Sequence, residues 1–258
     1  MSEERDEAPG GQPALYGADW DPLALLAAVR RSDLKATDAY VEEQREDIWR
    51  DLYAEYDARL FLLQIRRVVP QPGANFARMI DLWWEDERRH AQGFARLHSI
   101  LFGTQAIDLY DELSLRRADF ARLDPLLVDE FSILVVLAFD ELVTCSAYRR
   151  DMGFYRGLDV PALEDWIRNL IRDEARHYAN AVKVLRHDYR ARLAEAPPLI
   201  DRLVALDSEP APYAATFILD HFDENYGPAL LQKCAAELKR VLASAADPAP
   251  EPEDAPPA

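Results

Sequence analysis

Asp-Glu-x-Arg-His occurs twice in this chain, once in WWEDERRHAQGF (Trp83 to Phe94) and once in IRDEARHYANAV (Ile171 to Val182). A carboxylate and an imidazole three positions apart share a helix face. Glu87 with His90, and Glu174 with His177, can therefore each grip one metal ion. In a chain with 47 acidic residues among 258, an acid three positions before a His carries little weight by itself. The weight comes from what the neighbouring helices add.

A dinuclear carboxylate site needs one further inward-facing acid from each of two other helices. Glu141, in FSILVVLAFDELVTCSAY, is one candidate, because the helix around it is so apolar that nearly every face must be buried. A carboxylate buried alone is costly, so Glu141 calls for a cation. In IWRDLYAEYDARLFLLQI, Glu55 falls on the stripe of Ile48, Leu52, Arg59 and Leu62, while Asp57 on another stripe is the alternative. Glu55 precedes Glu87 by 32 residues and Glu141 precedes Glu174 by 33, so the motif repeats with its partners. Four carboxylates balance two divalent ions, with a neutral imidazole completing each set. Such an oxygen-rich, nitrogen-assisted site suits two Fe ions, with manganese possible in one position. Asp86 and Asp173 precede the repeated Glu residues and are placed to reach the His of the opposite pair, Asp173 to His90 and Asp86 to His177. A carboxylate there would fix the imidazole tautomer. Arg89 and Arg176 are expected to pair with those aspartates or with outer acids. The plainer alternative, an acidic bundle whose Glu and His residues make surface salt bridges, explains Glu141 poorly.

Helices must position these groups, and the hydrophobic spacing predicts an all-α chain. A short helix over about 21–30 leads into a long one over 37–68, which VVPQPGAN ends. A second long helix spans 75–101 and stops at Gly103, followed by a shorter one over 106–121. Pro125 is expected to open a third long helix reaching Met152, and Pro161 a fourth reaching Ala194. Smaller helices from Pro197 to Ser244 should pack outside. Two short-loop pairs joined by a longer crossover predict a ferritin-like four-helix bundle with additional peripheral helices. Residues 19–244 would form this domain, with disordered tails at 1–18 (acidic) and 245–258 (Pro, Ala and acid).

A net charge of -17 excludes a nucleic-acid surface, which needs a basic footprint. The apolar run from Phe131 to Phe139 is too short to span a bilayer, and the N-terminal sequence has no signal-peptide order, so a cytoplasmic protein without a membrane partner is expected. Cys145 and Cys234 form no CxxC pair and read as small buried hydrophobes.

With WWEDERRH, DEARH and FDELVT together, the chain resembles the ferritin-like di-iron carboxylate proteins, and among them the soluble acyl-carrier-protein desaturases. The resemblance covers about residues 46–183 and implies Glu55, Glu87, His90, Glu141, Glu174 and His177 as metal ligands. It also implies that Thr144, one turn after Glu141, guides protons or oxygen beside the metals. The implied activity is O2-dependent oxidation of an unreactive C–H bond, with electrons from a ferredoxin-like donor. An acyl carrier protein or a small apolar substrate would be the partner, and a homodimer the assembly. A di-iron N-oxygenase acting on a small metabolite and a non-catalytic ferritin-like iron-binding protein are the alternatives.

Overall fold

The computed structural model describes residues 12–221 and 227–246, and among them every regular element is a helix. Helix α1 (Pro22–Leu26) starts on Pro22, and the Asp21 carboxylate accepts from the Leu23 and Ala24 amides. Helix α2 (Asp38–Glu42) is capped by Thr37. A turn at Glu43 and Gln44 separates it from α3 (Arg45–Val68), so the single helix expected over 37–68 is two. The turn lets Tyr40 stack on Phe154 at 5.6 Å.

Helix α4 (Ala74–Phe102) ends at Gly103, whose φ of 73° is the left-handed conformation that glycine adopts without steric cost. Helix α5 (Ala106–Ser114) is shorter than expected. The chain after it is held by other contacts, among them Asp119 N to Ala214 O at 3.0 Å. Helix α6 (Glu130–Gly157) opens at Asp129 rather than at Pro125. Asp129 and Ser132 cap each other reciprocally there, satisfying amides that Pro125 has no side-chain acceptor to meet. Helix α7 (Pro161–Asp188) starts on its proline as expected but stops before Ala194. A tight 3-10 turn over Arg190–Glu195 follows, where Arg192 reaches Asp129 at 2.7 Å. Helices α8 (Ala196–Asp207) and α9 (Gly227–Ala246) complete the described chain.

The most extensive helix pair is α6 with α7, then α3 with α4, and α4 also meets α7. Helix α1 lies on α4 and α7, while α8 and α9 pack together against α6. By length and composition α6 could cross a membrane, which the run from Phe131 to Phe139 did not suggest. Its most apolar stretch is 83 % buried among the chain's own helices, the position of a core helix.

Residues 12–18 are not the loose end of a tail. Leu15 is buried, the Asn180 amide donates to Tyr16 O at 2.7 Å, and Lys183 Nζ donates to Ala14 O at 3.2 Å. These contacts come from α7 side chains that composition does not reveal. Helix α9 runs to Ala246, and the remaining parts of both expected tails, 1–11 and 247–258, lie outside the described residues.

Two apolar clusters fill the interior. One gathers Phe61, Phe76, Trp83, Phe131, Leu134 and Val184, the other Leu52, Phe94, Leu97, Tyr155 and Trp166. On α3, α4 and α7 the change from one cluster to the other falls at Glu55, at Glu87 to His90, and at Glu174 to His177. The polar residues thus occupy a layer between two dry regions.

Candidate metal centre

Glu55, Glu87, His90, Glu141, Glu174 and His177 are each at most 4 % exposed. They form two donor sets, Glu55, Glu87, His90 and Glu174, and Glu87, Glu141, Glu174 and His177, with the donor atoms of each set within 4.8 Å of one another. Glu87 and Glu174 belong to both. The imidazole rings lie 5.8 Å apart. His90 Nδ1 faces Glu55 Oε2 at 3.4 Å, Glu87 Oε2 at 3.5 Å and Glu174 Oε1 at 3.3 Å. His177 Nδ1 faces Glu87 Oε1 at 3.0 Å, and Glu141 Oε2 and Glu174 Oε2 at 3.2 Å each.

The opposite ring nitrogens make the crossing contacts. His90 Nε2 lies 3.1 Å from Asp173 Oδ2, and His177 Nε2 lies 3.2 Å from Asp86 Oδ2. An ionised carboxylate only accepts, so Nε2 carries the proton and Nδ1 can turn a lone pair toward the centre. Arg89 and Arg176 pair with Asp86 and Asp173. The chain before α1 closes the outside, with the Ala18 amide donating to Asp86 Oδ2 at 3.1 Å and Trp20 Nε1 to Asp173 Oδ2 at 2.7 Å.

Glu55 and Glu141 are pinned by donors that sequence reasoning missed. The Tyr148 hydroxyl donates to Glu55 Oε1, and Trp83 Nε1 donates to Glu141 Oε1 at 2.7 Å. Tyr148 stands two helical turns after Glu141, so the face of α6 was a readable signal; nothing local pointed to Trp20. Asp57 faces away from the layer and receives Arg116 Nε at 2.8 and 2.9 Å. The Thr144 hydroxyl meets His221 and not one of the six residues, with Oγ1 3.1 Å from His221 Nε2. Cys145 and Cys234 are free and buried.

The fit to a cation shows in the unsatisfied atoms. Glu55 Oε2, Glu87 Oε1, His90 Nδ1 and Glu174 Oε1 are buried without a hydrogen-bond partner. Each such orphan costs about 1–3 kcal/mol, and more when charged. Glu55 Oε2 and Glu174 Oε1 converge on His90 Nδ1, and Glu87 Oε1 faces His177 Nδ1, so the orphaned atoms fit an ion on each side of the centre. These buried carboxylate and histidine clusters could hold metal ions.

Without metal the site is a proton store. Burial, reinforced by Glu55, pushes the Glu87 carboxyl up to about 8. Burial with the charges of Glu87 and Glu141 raises Glu174 well above the usual range. For His90 burial opposes protonation, but Glu55 and Glu87 override it and hold the ring well above its ordinary value. Glu141 does the same for His177. Burial raises Glu55 as well, and the His90 charge outweighs it, leaving that carboxyl below its usual value. A metal entering the site must displace these protons.

No protein-family model, curated protein or solved structure matches the chain. Its chemistry is read from the site.

Two cavities border the centre. A small one of about 30 Å³ is lined by Glu55, Glu87, Glu174, Thr144, Tyr148 and His221, among others. A larger one of about 220 Å³ reaches Glu55 between α3, α4 and α5, past Tyr56, Trp84, Ala91, Gln92 and Tyr110, with Arg59 and Arg88 also in its wall.

Proposed function

We propose that the chain is an O2-dependent non-haem di-iron oxidoreductase built on a ferritin-like four-helix bundle. The observation that carries this reading is the sharing of Glu87 and Glu174 between two otherwise separate donor sets. Two unrelated mononuclear sites would have no reason to converge on the same carboxylates, whereas a pair of ions needs bridges. Oxygen-rich sets with one nitrogen each suit iron or manganese. The order Glu55, Glu87-x-x-His90, Glu141, Glu174-x-x-His177, with Thr144 after Glu141, resembles that of the soluble acyl-carrier-protein desaturases.

When bound, the metal pair would supply O2 activation and the oxidising power to attack a C–H bond. The chain's residues do the rest. Asp173 and Asp86 hold the imidazole tautomers, while Tyr148 and Trp83 fix the terminal carboxylates. The two apolar clusters flank the layer on either side. Thr144, lining the small cavity, is placed to hold a proton beside the centre. That cavity has room for about two waters at ~10–15 Å³ each, or for a diatomic gas. Electrons would come from a ferredoxin-like donor.

The larger cavity favours the second reading, a di-iron oxygenase of a small metabolite. At about 220 Å³ it is compact; ligand pockets typically span ~300–1,000 Å³. A compact pocket suits a small ring or short chain better than a long acyl group. The net charge of -17 points the same way, since it would repel the acidic acyl carrier protein that the desaturase resemblance implies.

Anaerobic addition of ferrous iron followed by O2, with absorption spectra of wild type, Glu141→Gln and Glu141→Ala, tests the proposal. The expected result is about two irons per chain and an O2-dependent band that the variants lose. Failure of the wild type to bind iron would overturn both enzyme readings. Continued uptake far beyond two irons per chain would instead favour storage.

A further inference from the structure

His221 lies outside the repeated motif, yet its ring has the same kind of surroundings as His90 and His177. Its Nδ1 faces Asp220 Oδ1 at 3.2 Å, Asp207 Oδ2 at 3.3 Å and Asp140 Oδ1 at 3.8 Å. Its Nε2 lies 3.1 Å from Thr144 Oγ1, as the other two histidines rest theirs on Asp173 and Asp86. Asp140, Asp220 and His221 each bring one donor atom within 4.8 Å of the others.

Burial makes this cluster more than a group of acids. Asp140 and Asp207 are each 2 % exposed, and His221 is 4 % exposed. Asp207 holds His221 with one oxygen, while its other, Oδ1, is buried without a hydrogen-bond partner, as is Asp220 Oδ1. One imidazolium carries a single positive charge against three carboxylates. A divalent ion with a neutral imidazole leaves a smaller buried excess and gives the orphaned oxygens a partner.

We propose that Asp140, Asp220 and His221, with Asp207 against the His221 ring, form a third cation site, for a divalent transition ion that accepts two carboxylate oxygens and one nitrogen, such as Mn2+ or Zn2+. Thr144 orients the ring. The site opens onto the small cavity that Glu55, Glu87 and Glu174 also line. An ion there would tie α6, the end of α8 and residues 220–221 together. The proposal needs these side chains alone and does not depend on O2 chemistry at the dinuclear centre.

The test is Mn2+ binding to the full-length chain after chelator treatment, counted by elemental analysis following gel filtration and read by electron paramagnetic resonance. Wild type should retain about three ions per chain, two giving an exchange-coupled signal and one the hyperfine-split signal of an isolated ion. Asp220→Asn should lose the isolated ion and keep the coupled pair. Glu87→Ala should do the reverse. If Asp220→Asn fails to fold by circular dichroism, Glu87→Ala decides: a retained isolated ion supports the site, and its absence overturns it. Two coupled ions alone in the wild type would overturn the third site and leave the dinuclear centre standing. No bound ion at all would overturn both.

Discussion

The α3–α4 half and the α6–α7 half present the same ligand types, but they support them differently. Glu55 and Glu141 occupy equivalent places, yet Tyr148 of α6 holds the first and Trp83 of α4 the second. Glu55 borders both cavities at the centre, while Glu141 lines neither. The repeat therefore dictates where a pair of ions would sit, and the unlike supports make one position open and the other closed. Under the proposed function, O2 and substrate would approach at the Glu55 and His90 position.

Removing a shared ligand should have the largest effect. Glu87→Ala should abolish binding of both ions of the dinuclear pair, whereas Glu55→Ala and Glu141→Ala should each leave about one of that pair, measured by elemental analysis. Loss of both ions from Glu55→Ala would show that the halves do not bind separately. Next comes pH. The Glu87 carboxyl keeps its proton up to about 8 in the metal-free fold. Because that value is raised above the unfolded one, its proton stabilises the metal-free fold fully at low pH, and this is lost as pH rises through about 8. Metal competes with the same proton, so affinity should fall by about tenfold or more per pH unit below 8, as calorimetry would record.

Asp173→Ala and Asp86→Ala should each weaken metal binding by about 10–100-fold. Equal losses in chelator competition would support the crossed symmetry, and a loss confined to one would break it. Tyr148→Phe should cost the open position about 1.5–3 kcal/mol of support, and Trp83→Phe a similar amount at the closed one. Only the first should alter the rate of O2 reaction in stopped flow.

The smallest effect concerns a residue that one half has and the other lacks. His98 on α4 packs against Trp49 at 4.3 Å and Phe102 at 4.8 Å, with both ring nitrogens unpartnered, whereas Leu185 follows His177 at the same spacing on α7. Burial, with Arg45 nearby, lowers the His98 pKa to about 4. The unfolded chain takes up that proton near its ordinary value of 6.5, so stability falls as pH drops from 6.5 toward 4. His98→Phe should flatten this slope, by at most about 1.4 kcal/mol per pH unit, in denaturant titrations.

The helical class and the polar layer were legible because hydrophobic spacing and the motif interval are local patterns. Helix starts were less so. Pro125 looked like an opening, but reciprocal capping by Asp129 and Ser132 set the start of α6. Residues 12–18 read as tail because backbone contacts with Asn180 and Asp86 leave no mark on composition.

By itself the sequence determined which helices carry acids amid apolar residues and at what intervals, since side-chain placement on a helix depends only on near neighbours. Tertiary structure alone decided that Glu55 and not Asp57 enters the layer, because Arg116, 59 positions away, draws Asp57 outward. It alone brought Asp207, Asp220 and His221 beside Asp140. Charges buried this far apart in the chain find one another only through packing, for which no local spacing can stand in.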